Sequence, residues 1–306
     1  MNNIKTSFSI KDLENLSGIK AHTIRIWEKR YELFEPSRTE TNIRYYSLKS
    51  LQKLLNVSFL NKNGLKVSKI ASLDDNDIPI LVNSIAKKEK SSDSYTNIMK
   101  VAMLNFDQKL FDKAFLELSN QYRLDEIFNT VFIPLLDTIG LLWQTNTITP
   151  AHEHFIVELI KQKLIIATNE NDKNSLPTKT EKVYALFLPE NEMHELGLLY
   201  INYILSLKNY HKIYLGQSVP STSLKHLCET YENITFISVF TIKIDENILK
   251  KHISTFSEEL FDNNKNKLLI SSRFSDVIQN NTNHSRIQIY KNTKELVENN
   301  FNLETT

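Results

Sequence analysis

The chain has 306 residues, 41% hydrophobic and 24% charged, an ordinary balance for a globular protein with room for two or three cores. No stretch approaches the ~20 consecutive apolar residues of a membrane span, and the opening MNNIKTSFSIKDLENL lacks the apolar centre of a signal peptide. Cys228 is the only cysteine, which excludes an intramolecular disulfide network and a cysteine-built zinc site; a cytoplasmic protein is expected. The net charge of +1 conceals a split. Residues 1–70 carry 13 Lys and Arg against 6 Asp and Glu, so the remainder is acidic. A basic head of this kind points to a polyanionic partner for the first segment alone.

That segment breaks into short elements. Ile10, Leu13 and Leu16 repeat at helical spacing, Ser9 can cap them, and Ser17-Gly18 makes a break before a second helix over Ala21–Tyr31. Two short helices across a glycine-containing turn make a helix-turn-helix. Arg25, Lys29 and Arg30 crowd the second helix, while Ile24 and Trp27 supply a buried face. Pro36 ends the region, Asn42–Tyr46 reads as a β-wing, and Leu48–Leu55 opens a third helix. Cations and hydroxyls for phosphates, together with a helix slim enough for the major groove, are what duplex DNA requires.

HTIRIWEKRY (His22–Tyr31), PSRTETNIRYYS (Pro36–Ser47) and KNGLKVSKI (Lys62–Ile70) carry a resemblance to the MerR family of winged-helix regulators. The resemblance implies a homodimer, or a homotetramer, on double-stranded operator DNA. It places His22, Thr23, Arg25, Lys29 and Arg30 on the reading helix and Arg38, Arg44 and Tyr45 on the wing, with Arg25 and Lys29 in the groove.

Residues 76–96 read as a linker holding a short helix and a hinge. From 97 to 170 apolar residues recur every three or four positions, which predicts a four-helix bundle. Pro150 stands where a first-turn proline belongs, with Thr149 as its cap. On a helix His152 and His154 point about 200° apart, so they make a poor metal site by themselves. Trp143 at the end of an apolar helix is core, a ligand contact, or both.

After a linker at 171–180 the period changes. Val183–Leu188, Lys212–Leu215, Ile234–Phe240, Leu268–Ile270 and Ile287–Tyr290 are short apolar runs separated by helix-length segments. The alternation predicts a parallel sheet with helices on both faces, a flavodoxin-like (Rossmann-like) α/β domain over 181–298, followed by a tail at 299–306. In such folds ligands bind beyond the carboxyl ends of the strands, which is where Pro189–Glu195 falls. His194 is then either an exposed histidine ahead of a helix or a ligand held at a binding edge.

Glu192-Met193-His194-Glu195-Leu196-Gly197 resembles the Asp/Glu-x-His-x-x-Gly motif of cobalamin-binding domains. In those domains the histidine binds cobalt and the carboxylate two residues earlier orients its other nitrogen. Trp143, nine residues, then Glu153-His154 is similar to the Trp-x9-Glu-His motif of the light-responsive, cobalamin-dependent MerR repressors of the CarA/CarH group. Together the motifs imply a non-enzymatic regulator, a repressor in that group, with residues 1–75 on DNA. Cobalamin, in its adenosyl form, would be held between bundle and sheet by Trp143, Glu153, His154, Glu192, His194, Gly197, Ser238, Ser271 and Ser272, with His194 on the metal. Four departures stand out. Ser271-Ser272 replaces a paired glycine, Ser238-Val239-Phe240 matches a Ser-x-Leu element in part, Thr145-Asn146 replaces a glycine, and Gln144 stands where light sensors place a second histidine. They leave open a domain that has lost the cofactor and serves dimerisation or another ligand.

Overall fold

A computed structural model describes residues 7–89, 92–144, 148–173, 182–241, 246–261, 265–280, 282 and 284–301. The chain forms two compact units, Met1–Leu159 and Ile160–Thr306.

In the first unit, β1 (Ser7–Ser9) leads into α1 (Ile10–Ser17). The Ser9 hydroxyl accepts the Asp12 N–H at 3.2 Å and the Asp12 carboxylate accepts the Ser9 N–H at 2.7 Å, a reciprocal capping box. Gly18 ends α1 at φ 71°, a left-handed conformation that is costly for any residue with a Cβ. α2 (Ala21–Tyr31) buries Ile24 and Trp27. β2 (Ser37–Arg38) and β3 (Arg44–Ser47) form the wing, and the antiparallel order β1-β3-β2 pairs Phe8 with Tyr46, both buried. α3 (Leu48–Lys62), α4 (Val67–Ala71) and α5 (Asp77–Glu89) follow.

The stretch expected as linker is thus helical where it is described. Ile78 and Val82, one turn apart, are buried on α5, which packs against α3. Four bundle helices come next: α6 (Ser92–Asn105), α7 (Gln108–Ser119), α8 (Leu124–Ile127) running through a π-helical turn into α9 (Ile133–Gln144), and α10 (Pro150–Lys173). Their core includes stacked rings, Phe111 on Phe132 at 6.3 Å and Phe115 on Phe132 at 6.2 Å. α10 belongs to the first unit up to Leu159 and to the second from Ile160. It occupies the first three residues of the expected linker at 171–180; the rest lie outside the described residues.

The second unit is a five-stranded sheet in which every pairing is parallel. Its elements are β4 (Val183–Pro189), α11 (Leu196–Leu207), β5 (Lys212–Val219), α12 (Lys225–Thr230) after one 3-10 turn, and β6 (Ile234–Phe240). α13 (Glu246–Thr255), β7 (Lys267–Ser272), α14 (Ser275–Gln279), β8 (Ile287–Tyr290) and α15 (Thr293–Phe301) complete it. The strand order β5-β4-β6-β7-β8 is the flavodoxin-like arrangement expected from the sequence. The order in which strands are added reverses at β4, with β5 on one side and β6 on the other, which makes the β4–β6 junction the switch point where such folds open a crevice.

β4 and β6 are buried along their whole length, as parallel strands covered on both faces are. Ala185, Phe187, Phe236 and Ile270 pack with Leu249 and Ile253 of α13 on one face. On the other, Tyr184 meets the Phe301 ring at 5.4 Å. α15 therefore carries the fold past residue 298 into the expected tail, because Phe301 is buried there. Replacing Phe301 with Ala should destabilise this unit by about 3–5 kcal/mol, read as a lower urea midpoint for the transition of the α/β unit.

Candidate functional site

The helix-turn-helix presents one stripe. On α2, His22, Arg25 and Lys29 recur at spacings that share a helical face; all three are exposed, as are Arg30 and, on the wing, Arg38 and Tyr45. Thr23 is half-buried. Exposed Ile26 lies in the same stripe. The Arg38 guanidinium donates to the Asn42 side chain at 2.6 Å, steadying a wing turn that Asn42 closes at φ 65°.

Arg44 has a structural partner. Its Nε donates to Glu28 Oε1 at 3.1 Å, while the Tyr46 hydroxyl donates to Glu28 Oε2 at 2.8 Å. Burial, then this bond to Glu28, pushes the Tyr46 hydroxyl well above its ordinary range. Glu28 on the reading helix thereby clamps the wing strand. Sequence reasoning passed over Glu28; its signal was an acidic residue on the half-buried flank of an otherwise basic helix.

In the bundle, His152 and His154 diverge: His152 is buried and His154 exposed, with Glu153 half-buried. The Thr149 N–H donates to His152 Nδ1 at 3.2 Å, so His152 takes the part of the acidic residue in a capping box at the start of α10. Its ring stacks on Phe106 at 4.6 Å. The Trp143 and Gln144 side chains and residues Thr145-Asn146 lie outside the described set.

At the carboxyl edge of the sheet, Glu192 is 2% exposed and His194 51% exposed by side chain. Glu192 Oε1 accepts the Met193 and His194 N–H groups, each at 2.9 Å, and lies 2.6 Å from His194 Nδ1. Glu192 Oε2 accepts the Thr241 N–H, just past β6, at 3.0 Å. The carboxylate therefore spans the crevice between β4 and β6. A proton on Nδ1 shared with Glu192 leaves the lone pair of the neutral ring on Nε2, the nitrogen suited to a metal.

Gly197 in the first turn of α11 has a packing reason. A Cβ there would stand 3.1 Å from Val239 and from Thr293 side-chain carbons, tighter than ordinary contact. Ser238, on β6, is fully buried, and among the described residues its hydroxyl has no partner. Ser271 and Ser272 are buried too, and the Ser272 hydroxyl accepts the Phe274 N–H at 3.0 Å, shaping the turn into α14. The oriented His194 ring and the unpartnered Ser238 hydroxyl are groups a metal-bearing cofactor could use, whereas Ser271 and Ser272 bring side chains to the place where a paired glycine would bring none. Among the described residues no three His, Cys, Asp or Glu side chains cluster to hold a metal, and no helix is long and apolar enough to cross a membrane.

Comparison with known proteins agrees with both halves. Residues 8–76 match the MerR HTH family regulatory protein, and residues 97–168 match the B12 binding domain. The HTH-type transcriptional repressor CarH of Myxococcus xanthus is 27% identical over 224 residues, 71% of this chain and 73% of that protein. CarA of the same organism is 26% identical over 232 residues, 72% of this chain and 71% of that protein. The monomethylamine corrinoid protein of Methanosarcina barkeri shares the fold, with TM-score 0.51 at 14% identity over 68% of this chain and 93% of that one. The chain thus joins a match to a MerR-type helix-turn-helix with a match to a B12-binding domain, and it is distantly similar to the two repressors over about 70% of its length.

Two outcomes follow from this geometry. Glu28→Ala leaves the buried Tyr46 hydroxyl without its acceptor, so the first unit should lose about 1–3 kcal/mol, measured by urea denaturation. Burial holds the His152 imidazole below its ordinary value, with the Thr149 backbone offsetting part of the effect. The unfolded chain therefore takes up that proton first as pH falls. The stability of the first unit should be full above about pH 6.5 and decline below it, levelling off under the folded-state pKa. His152→Asn should flatten that slope in parallel melts.

Proposed function

We propose that this chain is a repressor that binds double-stranded operator DNA as a homodimer or homotetramer. Its assembly or DNA affinity would be set by a cobalamin held between the helical bundle and the α/β domain. The division of labour is residues 1–75 on DNA, 97–170 as the cap, and 181–298 as the cofactor base. Base reading falls to Arg25 and Lys29, aided by His22, Thr23 and Arg30, with phosphate contacts from Arg38, Arg44 and Tyr45. The observation that carries the cofactor half is the Glu192–His194 pair at the switch point of the sheet.

A lone oriented histidine suits a metal whose remaining ligands are carried largely by its own macrocycle. Glu192 fixes the ring, His194 offers Nε2, and Ser238 offers a buried hydroxyl. Trp143, Glu153 and His154 are assigned as further contacts to the ligand. Adenosylcobalamin, the form proposed here, would supply a cobalt ion for His194 to bind and a light-sensitive cobalt–carbon bond. Gln144 stands where the light-responsive repressors carry a second histidine, so the reading rests on cobalamin binding rather than on light. Such a ligand shifts DNA affinity only by binding the two states unequally.

A second reading is favoured by Ser272, whose hydroxyl is committed to the turn into α14. In it the domain keeps the fold without the cofactor and serves dimerisation or another ligand. To separate them, purified protein is mixed in the dark with adenosyl- or hydroxocobalamin, desalted and scanned in the visible. Retained corrin absorbance, shifted or lost in His194→Ala, is expected. A colourless wild type selects the second reading, and an unchanged spectrum in His194→Ala removes that histidine from the metal.

A further inference from the structure

Next to His194 stands a group that the ligand site does not use. The Lys161 ammonium lies 2.7 Å from Glu195 Oε1, with the two side chains only 18% and 14% exposed. The Tyr214 hydroxyl of β5 donates to Glu195 Oε2 at 3.1 Å. Both carboxylate oxygens are therefore engaged, one by α10 and one by the sheet. Burial, then the Glu195 charge, pushes the Tyr214 hydroxyl far above its ordinary range, so it remains a donor.

Glu195 follows His194 directly and opens α11, its carbonyl accepting the Leu199 N–H at 2.9 Å. Farther along α10, Asn171 donates to Ser206 at 3.0 Å and the Lys212 ammonium meets Asp172 at 2.6 Å. The last three turns of α10 are thus tied to the α/β unit at both ends, and the tie nearest His194 is Lys161. α10 itself is unbroken from Pro150 to Lys173 and also carries Glu153 and His154.

We infer that Lys161 is a positioning residue: through Glu195 it registers α10 against the His194 loop, so that occupation of His194 is felt along the helix that continues into the bundle. This role rests on the cofactor reading above. A side chain of the sheet face alone would need no partner on α10, and a surface ion pair would be worth little. A largely buried pair is different, since removing one member leaves the other uncompensated and forces rearrangement. Because Glu192 holds the imidazole independently, loss of Lys161 should spare coordination and weaken its transmission.

The test uses full-length protein, hydroxocobalamin and a DNA duplex that the wild type selects from a random pool. Lys161→Met is expected to retain corrin with the wild-type spectrum and to bind the duplex normally without cobalamin. The cobalamin-dependent change in DNA affinity, on the order of 5–150-fold for ordinary coupling, should shrink to about twofold. In cobalamin-free protein, hydrogen exchange should quicken together in residues 160–165 and 191–195. Exchanging the pair, Lys161→Glu with Glu195→Lys, should restore both readouts. Corrin retained with undiminished coupling in Lys161→Met overturns this inference alone. So does a lost coordination spectrum in that variant, or a swap that rescues neither readout. If the wild type holds no corrin, the function proposed above falls and the coupling falls with it.

Discussion

A buried carboxylate organises the carboxyl edge of the parallel sheet. Taking Glu192 out of water costs several kcal/mol unless its oxygens are satisfied, and three backbone N–H groups together with the His194 ring surround them. One of those donors comes from Thr241, beyond the neighbouring strand. The position of His194 is therefore set by the separation of β4 and β6, a property of the whole sheet, rather than by the conformation of its own loop. The flanking turn is tied down on the other side as well, where the Ser218 hydroxyl accepts the Asn191 N–H at 3.2 Å and the Ser218 N–H donates to the Glu192 carbonyl at 3.2 Å.

The DNA-binding head uses the same device. Glu28 is mostly shielded, and its two oxygens hold two groups of β3 while the residue itself sits on α2. In each case a carboxylate joins elements that the chain brings together only in the fold, and an exposed neighbour inherits its orientation. Arg44 shows the consequence. Its Nε is committed to Glu28, but a guanidinium has five N–H donors, so a clamped arginine still presents a fork of fixed direction. Holding the wing this way removes rotamer freedom in advance, so under the proposed DNA contact less of it would be lost on binding.

What the sequence revealed divides by range. Ser9, Gly18, the Ala21–Tyr31 helix and the buried Ile24–Trp27 face follow from neighbours within a few residues, and they stand where spacing put them. The parallel sheet was legible because each strand is a continuous apolar run, and strand order then placed His194 at a binding edge. Thr241, Lys161 and Tyr214 were not legible, since their partners lie 19 to 49 positions away and no local pattern marks them; Glu28 stood out only as the acidic residue of a basic helix, and its partners 16 and 18 positions on gave it no role. Gly197 was legible as part of a motif but for another reason than its packing, which became visible only with Val239 and Thr293 beside it. Phe301 was missed because one aromatic residue near a polar end carries no periodic signal.

The serines near the sheet's edge sharpen the question of the cofactor. Ser272 stands at a position where a glycine would leave room, yet its hydroxyl accepts the Phe274 N–H and so helps to shape the turn. Ser238 is the reverse: wholly buried in the central strand between Phe236 and Phe240, with no partner for its hydroxyl among the described residues. An unpaired buried hydroxyl costs about 1–3 kcal/mol, and a valine or alanine would avoid that cost at this position. Asn202 Oδ1 and Thr235 Oγ1 share that condition among the described residues, so the orphaned hydroxyl by itself does not mark a site; under the proposed reading, a ligand atom bonded to Ser238 would recover the loss.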